Sequence, residues 1–188
     1  HAMNLKLQDE TAFFAEYQND PLPPVQPLAE DLTADDIAAK VNGRPPGEVP
    51  LGCDRVTMFV DVQQKLLYYV VVAWTADFGG FVVAYGTWPD QHREYFTLRD
   101  AQTTIATQFP TMGLEGSLYA AMQALLEEQL GREWAREDGA ALTIERCLID
   151  ANWGNSTEVV YQFCRESTHA AVLSPSHGRY VGAASTPF

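Results

Sequence analysis

Hydrophobic and polar positions alternate along this chain with two different periods. Val56-Thr57-Met58-Phe59-Val60-Asp61-Val62-Gln63 is an apolar run carrying one carboxylate, Asp61, near its C-terminal end. Two further apolar runs follow, at about 66 to 76 and 80 to 88, and all three read as strands. Only Gln63-Gln64-Lys65 and Asp77-Phe78-Gly79-Gly80 separate them, and links this short make consecutive strands antiparallel hairpins. The second run, from Leu66 to Trp74, is nearly continuous in apolar residues, which predicts a central strand covered on both faces. Further on the period changes. Leu118, Ala121, Met122, Leu125, Leu126 and Gln129 recur at helical spacing and predict a long helix over 117–134. Residues 140–150 read as a fourth strand, whose apolar run Cys147-Leu148-Ile149 ends on a second carboxylate, Asp150. A helix over 157–166 with Val160, Phe163 and Cys164 inward and a fifth strand over 169–173 complete the pattern. The remaining stretch, 174–188, holds Pro, Gly, Ser and Ala and predicts no element.

The N-terminal part is patterned differently. Phe13, Phe14 and Tyr17 share one face of a short helix, which Pro21, Pro23, Pro24 and Pro27 stop. A second short helix is expected over 28–40, with Thr33 as N-cap and Asp36 three residues on. Asn42-Gly43-Arg44-Pro45-Pro46-Gly47 is a turn-rich loop. Residues 1–52 therefore read as an arm and linker, and 53–188 as the compact domain. His1-Ala2-Met3 is set aside as an expression remnant.

Composition narrows the function. The 188 residues fit one domain, and 46% hydrophobic content supplies a core. The formal net charge of -13 counts against stand-alone nucleic-acid binding, which favours basic surfaces, but is compatible with a metal site built from carboxylates. Cys53, Cys147 and Cys164 match no zinc spacing; the last two sit in apolar runs and read as buried, reduced thiols, which fits a reducing cytosol. No apolar stretch approaches the ~20 residues of a membrane helix.

The element order is three strands, helix, strand, helix, strand. A hairpin meander followed by right-handed crossovers gives an α/β fold with a mixed five-stranded sheet and helices on both faces. This is the order of the ribonuclease H-like fold. In such a sheet the first and fourth strands are neighbours, so Asp61 and Asp150 would meet. Close carboxylates repel unless they share a cation, and Mg²⁺ or Mn²⁺ suits hard oxygen ligands. Two such ions can activate water and stabilise the leaving oxygen in phosphodiester cleavage.

The residues around these aspartates also resemble a family. Val60-Asp61-Val62-Gln63, the strand ending at Trp74, Ala84-Tyr85-Gly86-Thr87-Trp88 and Leu148-Ile149-Asp150-Ala151-Asn152-Trp153-Gly154 are similar, in that order and spacing, to the nuclease domain of tailed-phage large terminase subunits of the lambda-like branch. Val159-Val160-Tyr161-Gln162-Phe163 resembles the helix that follows, and 13–21 the segment joining the packaging ATPase to the nuclease. The resemblance implies a metal-dependent endonuclease that cuts concatemeric double-stranded DNA in the host cytoplasm. It also implies the terminase ATPase domain, the small terminase subunit and the portal protein as partners. It carries the catalytic, metal-ligand role onto Asp61 and Asp150. Two features depart from the family: no Asp or Glu follows Glu166, where a further acid is expected after the fifth strand, and no Gly-rich phosphate loop of the ATPase is present.

Asn152, Asn155 and His177 are further candidates for contacts to DNA or to metal-bound water, although turn chemistry accounts for the asparagines equally well. Glu115, Glu127 and Glu128 on or near the long helix read as a solvated face, and His92 and His169 as structural. The arginines are scattered rather than striped. Two other functions stay open: a non-catalytic ribonuclease H-like module docking on the packaging motor or portal, and another ribonuclease H-like nuclease such as a junction resolvase.

Overall fold

The computed structural model describes residues 33–93, 95–152, 154 and 157–178. The chain divides into two units, His1–Gly43 and Arg44–Phe188. In the first, the described part is a single short helix, α1 (Ala34–Ala38), with no buried residue. Its start is the capping box expected from sequence: Thr33 Oγ1 accepts from the Asp36 N–H at 3.1 Å, and Asp36 Oδ2 accepts from the Thr33 N–H at 3.0 Å. The helix expected around Phe13 to Tyr17 lies outside the described residues.

The second unit is built on a five-stranded mixed sheet. Its strands are β1 (Cys53–Val62), β2 (Leu67–Thr75) and β3 (Gly80–Trp88), and later β6 (Ile144–Asp150) and β7 (Leu173–Ser176), in the spatial order β3-β2-β1-β6-β7. The first three pair antiparallel, as their short links require, while β1–β6 and β6–β7 are parallel. A tight turn closes the first hairpin, with the Gln63 N–H bonded to Leu66 O at 3.1 Å. The second turn uses Phe78 in the left-handed region, φ 69°. Between the two halves of the sheet lie α2 (Ile105–Gln108), α3 (Leu114–Leu130) and a two-stranded ribbon of β4 (Trp134–Ala135) with β5 (Ala141–Leu142). A last helix, α4 (Thr157–Glu166), links β6 to β7.

The core lies on one face of the sheet. Val56, Met58, Val60 and Val62 of β1 alternate inward and meet Ile144, Cys147 and Ile149 of β6, while Leu118, Ala121, Met122, Leu125 and Leu126 of α3 and Val159, Val160, Phe163 and Cys164 of α4 cover them. The two helices touch through Tyr119 and Phe163, whose rings meet edge-on at 5.0 Å. The opposite face of this unit is more open among the described residues, with Phe59 of β1 and Leu148 of β6 each 37% exposed. β2 accordingly alternates: Leu67, Val71 and Ala73 are buried, whereas Val70, Val72 and Trp74 are half-buried on the open side.

Other boundaries differ from the sequence pattern for local reasons. The long helix stops at Gly131 instead of running to Trp134; Trp134 swings back as β4, wholly buried, with the Arg132 guanidinium 4.2 Å from its ring centre. The expected strand over 140–150 is two strands, because Ala141–Leu142 pairs with Trp134–Ala135 across a turn that needs Gly139 at φ 85°. Among the described residues between β3 and α3, only Ile105–Gln108 is helical, the single turn α2. The fifth strand lies at Leu173–Ser176 rather than 169–173, since Val172 and Ala170 are taken up in turns after α4. Pro175 fits because β7 is an edge strand. The segment 44–52 also packs into this unit: Val49 is fully buried, its N–H bonds Ala135 O at 2.9 Å, and Arg44 pairs with Glu137.

Candidate active site

The strand register sets the site. Val60 pairs with Ile149 in the parallel β1–β6 ladder, and the next residue on each strand is Asp61 and Asp150. Their Cα atoms are therefore neighbours across strands about 4.8 Å apart, and their side chains share the open face. Asp61 also lies opposite Tyr68 of β2, and Asp150 opposite Ser176 of β7, so one row of the sheet reads Tyr68, Asp61, Asp150, Ser176. β1, β6 and β7 run in the same direction, which puts all three carboxyl ends along one rim, the usual position for ligand sites in parallel sheets.

Each carboxylate is held by a polar neighbour. Gln63 Nε2 donates to Asp61 Oδ1 and Oδ2 at 3.2 and 3.0 Å. The Asn152 N–H donates to Asp150 Oδ1 at 3.1 Å. Both aspartates are half-buried, and among the described residues neither belongs to an ion pair. Two adjacent carboxylates with no ion-pair partner among the described residues form an oxygen donor set suited to a hard divalent cation. Among the described residues, no group of three or more His, Cys, Asp and Glu side chains is arranged to hold a metal ion, so the two aspartates stand without a third such ligand.

The secondary candidates converge on Asp150. Asn152 Nδ2 donates to Gly178 O at 3.2 Å, Asn152 Oδ1 meets His177 Nδ1 at 2.9 Å, and His177 Nε2 meets the Tyr161 hydroxyl at 2.8 Å. Asn152 and His177 thus bond each other beside the acidic pair. Asn155 lies outside the described residues. The other acids are elsewhere: Glu127 and Glu128 sit on α3, on the covered side of the sheet, bonded to Gln123 and Gln129. His92 pairs with Asp90, and Arg136 with Asp138. Neither of two surface concavities, of about 90 and about 550 Å³, is lined by Asp61 or Asp150. The larger lies against β3 and α3, with Tyr69, Asp90 and Glu128 in its wall. The acidic pair stands instead on an open rim.

Two residues near the pair carried no assigned role in the sequence. Gln63 was legible in retrospect, since it lies two positions beyond Asp61 and strand side chains repeat with period two. Tyr161 was not, because its contact with His177 joins α4 to the end of β7 across 16 residues of chain.

Comparison with known proteins bears on this geometry. No curated protein matches the chain. The family model described as terminase large subunit gpA, endonuclease domain, matches residues 6–185 of 188, nearly the whole sequence. The chain therefore belongs to the family of terminase large subunit gpA endonuclease domains.

Proposed function

We propose that this domain cuts double-stranded phage DNA during packaging, with Asp61 and Asp150 holding Mg²⁺ or Mn²⁺ as the catalytic and metal-binding residues. The observation that carries the reading is the β1–β6 register, which sets two aspartates, neither of them in an ion pair among the described residues, side by side at parallel strand ends. When bound, one or two divalent ions supply an activated water and neutralise charge on the phosphate and the leaving oxygen. The chain's own residues do the rest. Gln63 holds both Asp61 oxygens, and the Asn152 N–H holds Asp150 Oδ1. Asn152, Asn155 and His177 are the further candidates for contacts to DNA or to metal-bound water. Concatemeric DNA is the substrate in this reading, the packaging ATPase, small terminase subunit and portal are the partners, and the host cytoplasm is the compartment. In this reading the arm from the ATPase, expected over 1–52, narrows to 1–43, and the nuclease proper takes in 44–52 along with 53–188.

The test is cleavage of linear duplex DNA with Mg²⁺ or Mn²⁺, comparing the native chain with Asp61→Asn and Asp150→Asn. Loss of cutting in both, with melting temperatures retained, supports the reading; cutting that survives in both sinks it. A second reading, a non-catalytic module docking on the motor or portal, draws on the pair's lack of a third acidic or histidine ligand among the described residues and on the -13 charge. It predicts no Mn²⁺ uptake between the aspartates. Branched and hybrid substrates run beside linear duplex separate a junction resolvase from a packaging nuclease.

A further inference from the structure

Tyr161 touches neither aspartate, yet a continuous line of hydrogen bonds runs from its hydroxyl to Asp150. The protons along this line can be assigned. Asn152 faces the Gly178 carbonyl with Nδ2 at 3.2 Å, and a carbonyl only accepts, so that amide orientation is settled and Oδ1 faces His177. Oδ1 in turn only accepts, so His177 Nδ1 carries the proton across the 2.9 Å contact. In the neutral imidazole Nε2 is then an acceptor, and the Tyr161 hydroxyl donates to it at 2.8 Å. Gly178 belongs to the same arrangement, since a Cβ there would lie 2.8 Å from Asn152 Nδ2. With its side chain held at both ends, Asn152 presents its backbone N–H to Asp150 Oδ1 at 3.1 Å.

We propose that Tyr161 is a positioning residue for the metal-binding carboxylate of Asp150, acting through the His177 tautomer and the Asn152 amide. The chain ties together three separate pieces: α4, the residue pair after β6, and the residues after β7. Oδ1 of Asp150 is committed to the Asn152 N–H, and among the described residues Oδ2 receives no hydrogen bond. That bond restricts the rotation of the Asp150 carboxylate beside Asp61. This deepens the nuclease reading and rests on it, because the cation is the one that reading assigns to the pair.

Two measurements on the purified chain separate the possibilities. Imidazole ¹⁵N NMR at pH 8 should show His177 protonated at Nδ1, and Tyr161→Phe should shift it toward the Nε2–H form. Mn²⁺ titration should show about tenfold weaker binding in Tyr161→Phe, the usual size of effect when an outer partner of a metal ligand is lost. Gly178→Ala, which displaces the Asn152 amide without touching an acid, should weaken Mn²⁺ binding in the same direction. Should the native chain bind Mn²⁺ and both variants bind it within twofold of native, the positioning role is overturned and the nuclease reading stands. Should the native chain bind no Mn²⁺, the metal reading fails and this role with it, whatever the tautomer. A purely structural tyrosine would lower the melting temperature without moving either the tautomer or the Mn²⁺ affinity.

Discussion

Asp61 and Asp150 are unusual strand residues, since aspartate is depleted in strands, and each stands where an apolar run reaches the open rim of the sheet. If they share a cation, Asp61→Asn or Asp150→Asn removes the charge while keeping the shape, and cleavage is expected to fall by at least about 10³-fold with little change in melting temperature. The cysteines predict the opposite of reactivity. Burial, with Cys164 nearby, pushes the Cys147 thiol up to about 12, and burial pushes Cys164 to about 11. Both should resist thiol reagents at pH 8 until the protein unfolds, which a titration with and without denaturant checks. A third residue governs acid behaviour. The Arg136 guanidinium donates to both Asp138 oxygens at 2.9 and 2.8 Å, and the Ala140 N–H adds a bond at 3.1 Å, which together lower the carboxyl to about 2. A carboxyl lowered on folding stabilises the fold above its unfolded pKa of about 3.9, and that contribution is lost as pH falls toward 2. Asp138→Asn should therefore flatten the pH dependence of unfolding between about pH 4 and pH 2. This carboxylate is exposed, so the effect is small.

Elements differ in how openly their residues announce them. α4 occupies Thr157–Glu166, as its inward Val160, Phe163 and Cys164 predict, because an amphipathic helix between two strands needs only its own periodicity. β1 is equally plain, with its even-numbered residues from Val56 to Val62 buried. The end of α3 was hidden, because Trp134 fits a helical stripe as well as it fits the ribbon with Leu142. β7 was hidden more deeply: Ser174-Pro175-Ser176 has no strand character, and pairing with Leu148, Ile149 and Asp150 is what extends it. Trp134 is the strongest test of this packing. It is fully buried between the end of α3 and the β4–β5 ribbon, so Trp134→Ala should cost about 3–5 kcal/mol in chemical denaturation, within the range for large aromatic truncations.

For the molecule as a whole, charge and cation are linked. A chain of formal charge -13 repels a polyanion, so DNA engagement by this domain alone is expected to depend on divalent ions. If a cation binds between Asp61 and Asp150, as proposed, the folded state alone brings those residues together, so Mn²⁺ at 100 times its dissociation constant should add about 2.7 kcal/mol of stability. Calorimetry with and without Mn²⁺ measures this, and Asp61→Asn should abolish the increment.

The alternation of β1, the meander of three close strands and the amphipathic α4 could be read directly, because each depends on neighbours within a few residues. The order of those elements also placed the first and fourth long strands side by side, which is how the closeness of Asp61 and Asp150 was foreseeable. The open face, the ribbon around Trp134 and the line from Tyr161 to Asp150 were decided only by the tertiary fold. They depend on pairings between residues far apart in the chain, and no local period encodes which distant side chains will meet.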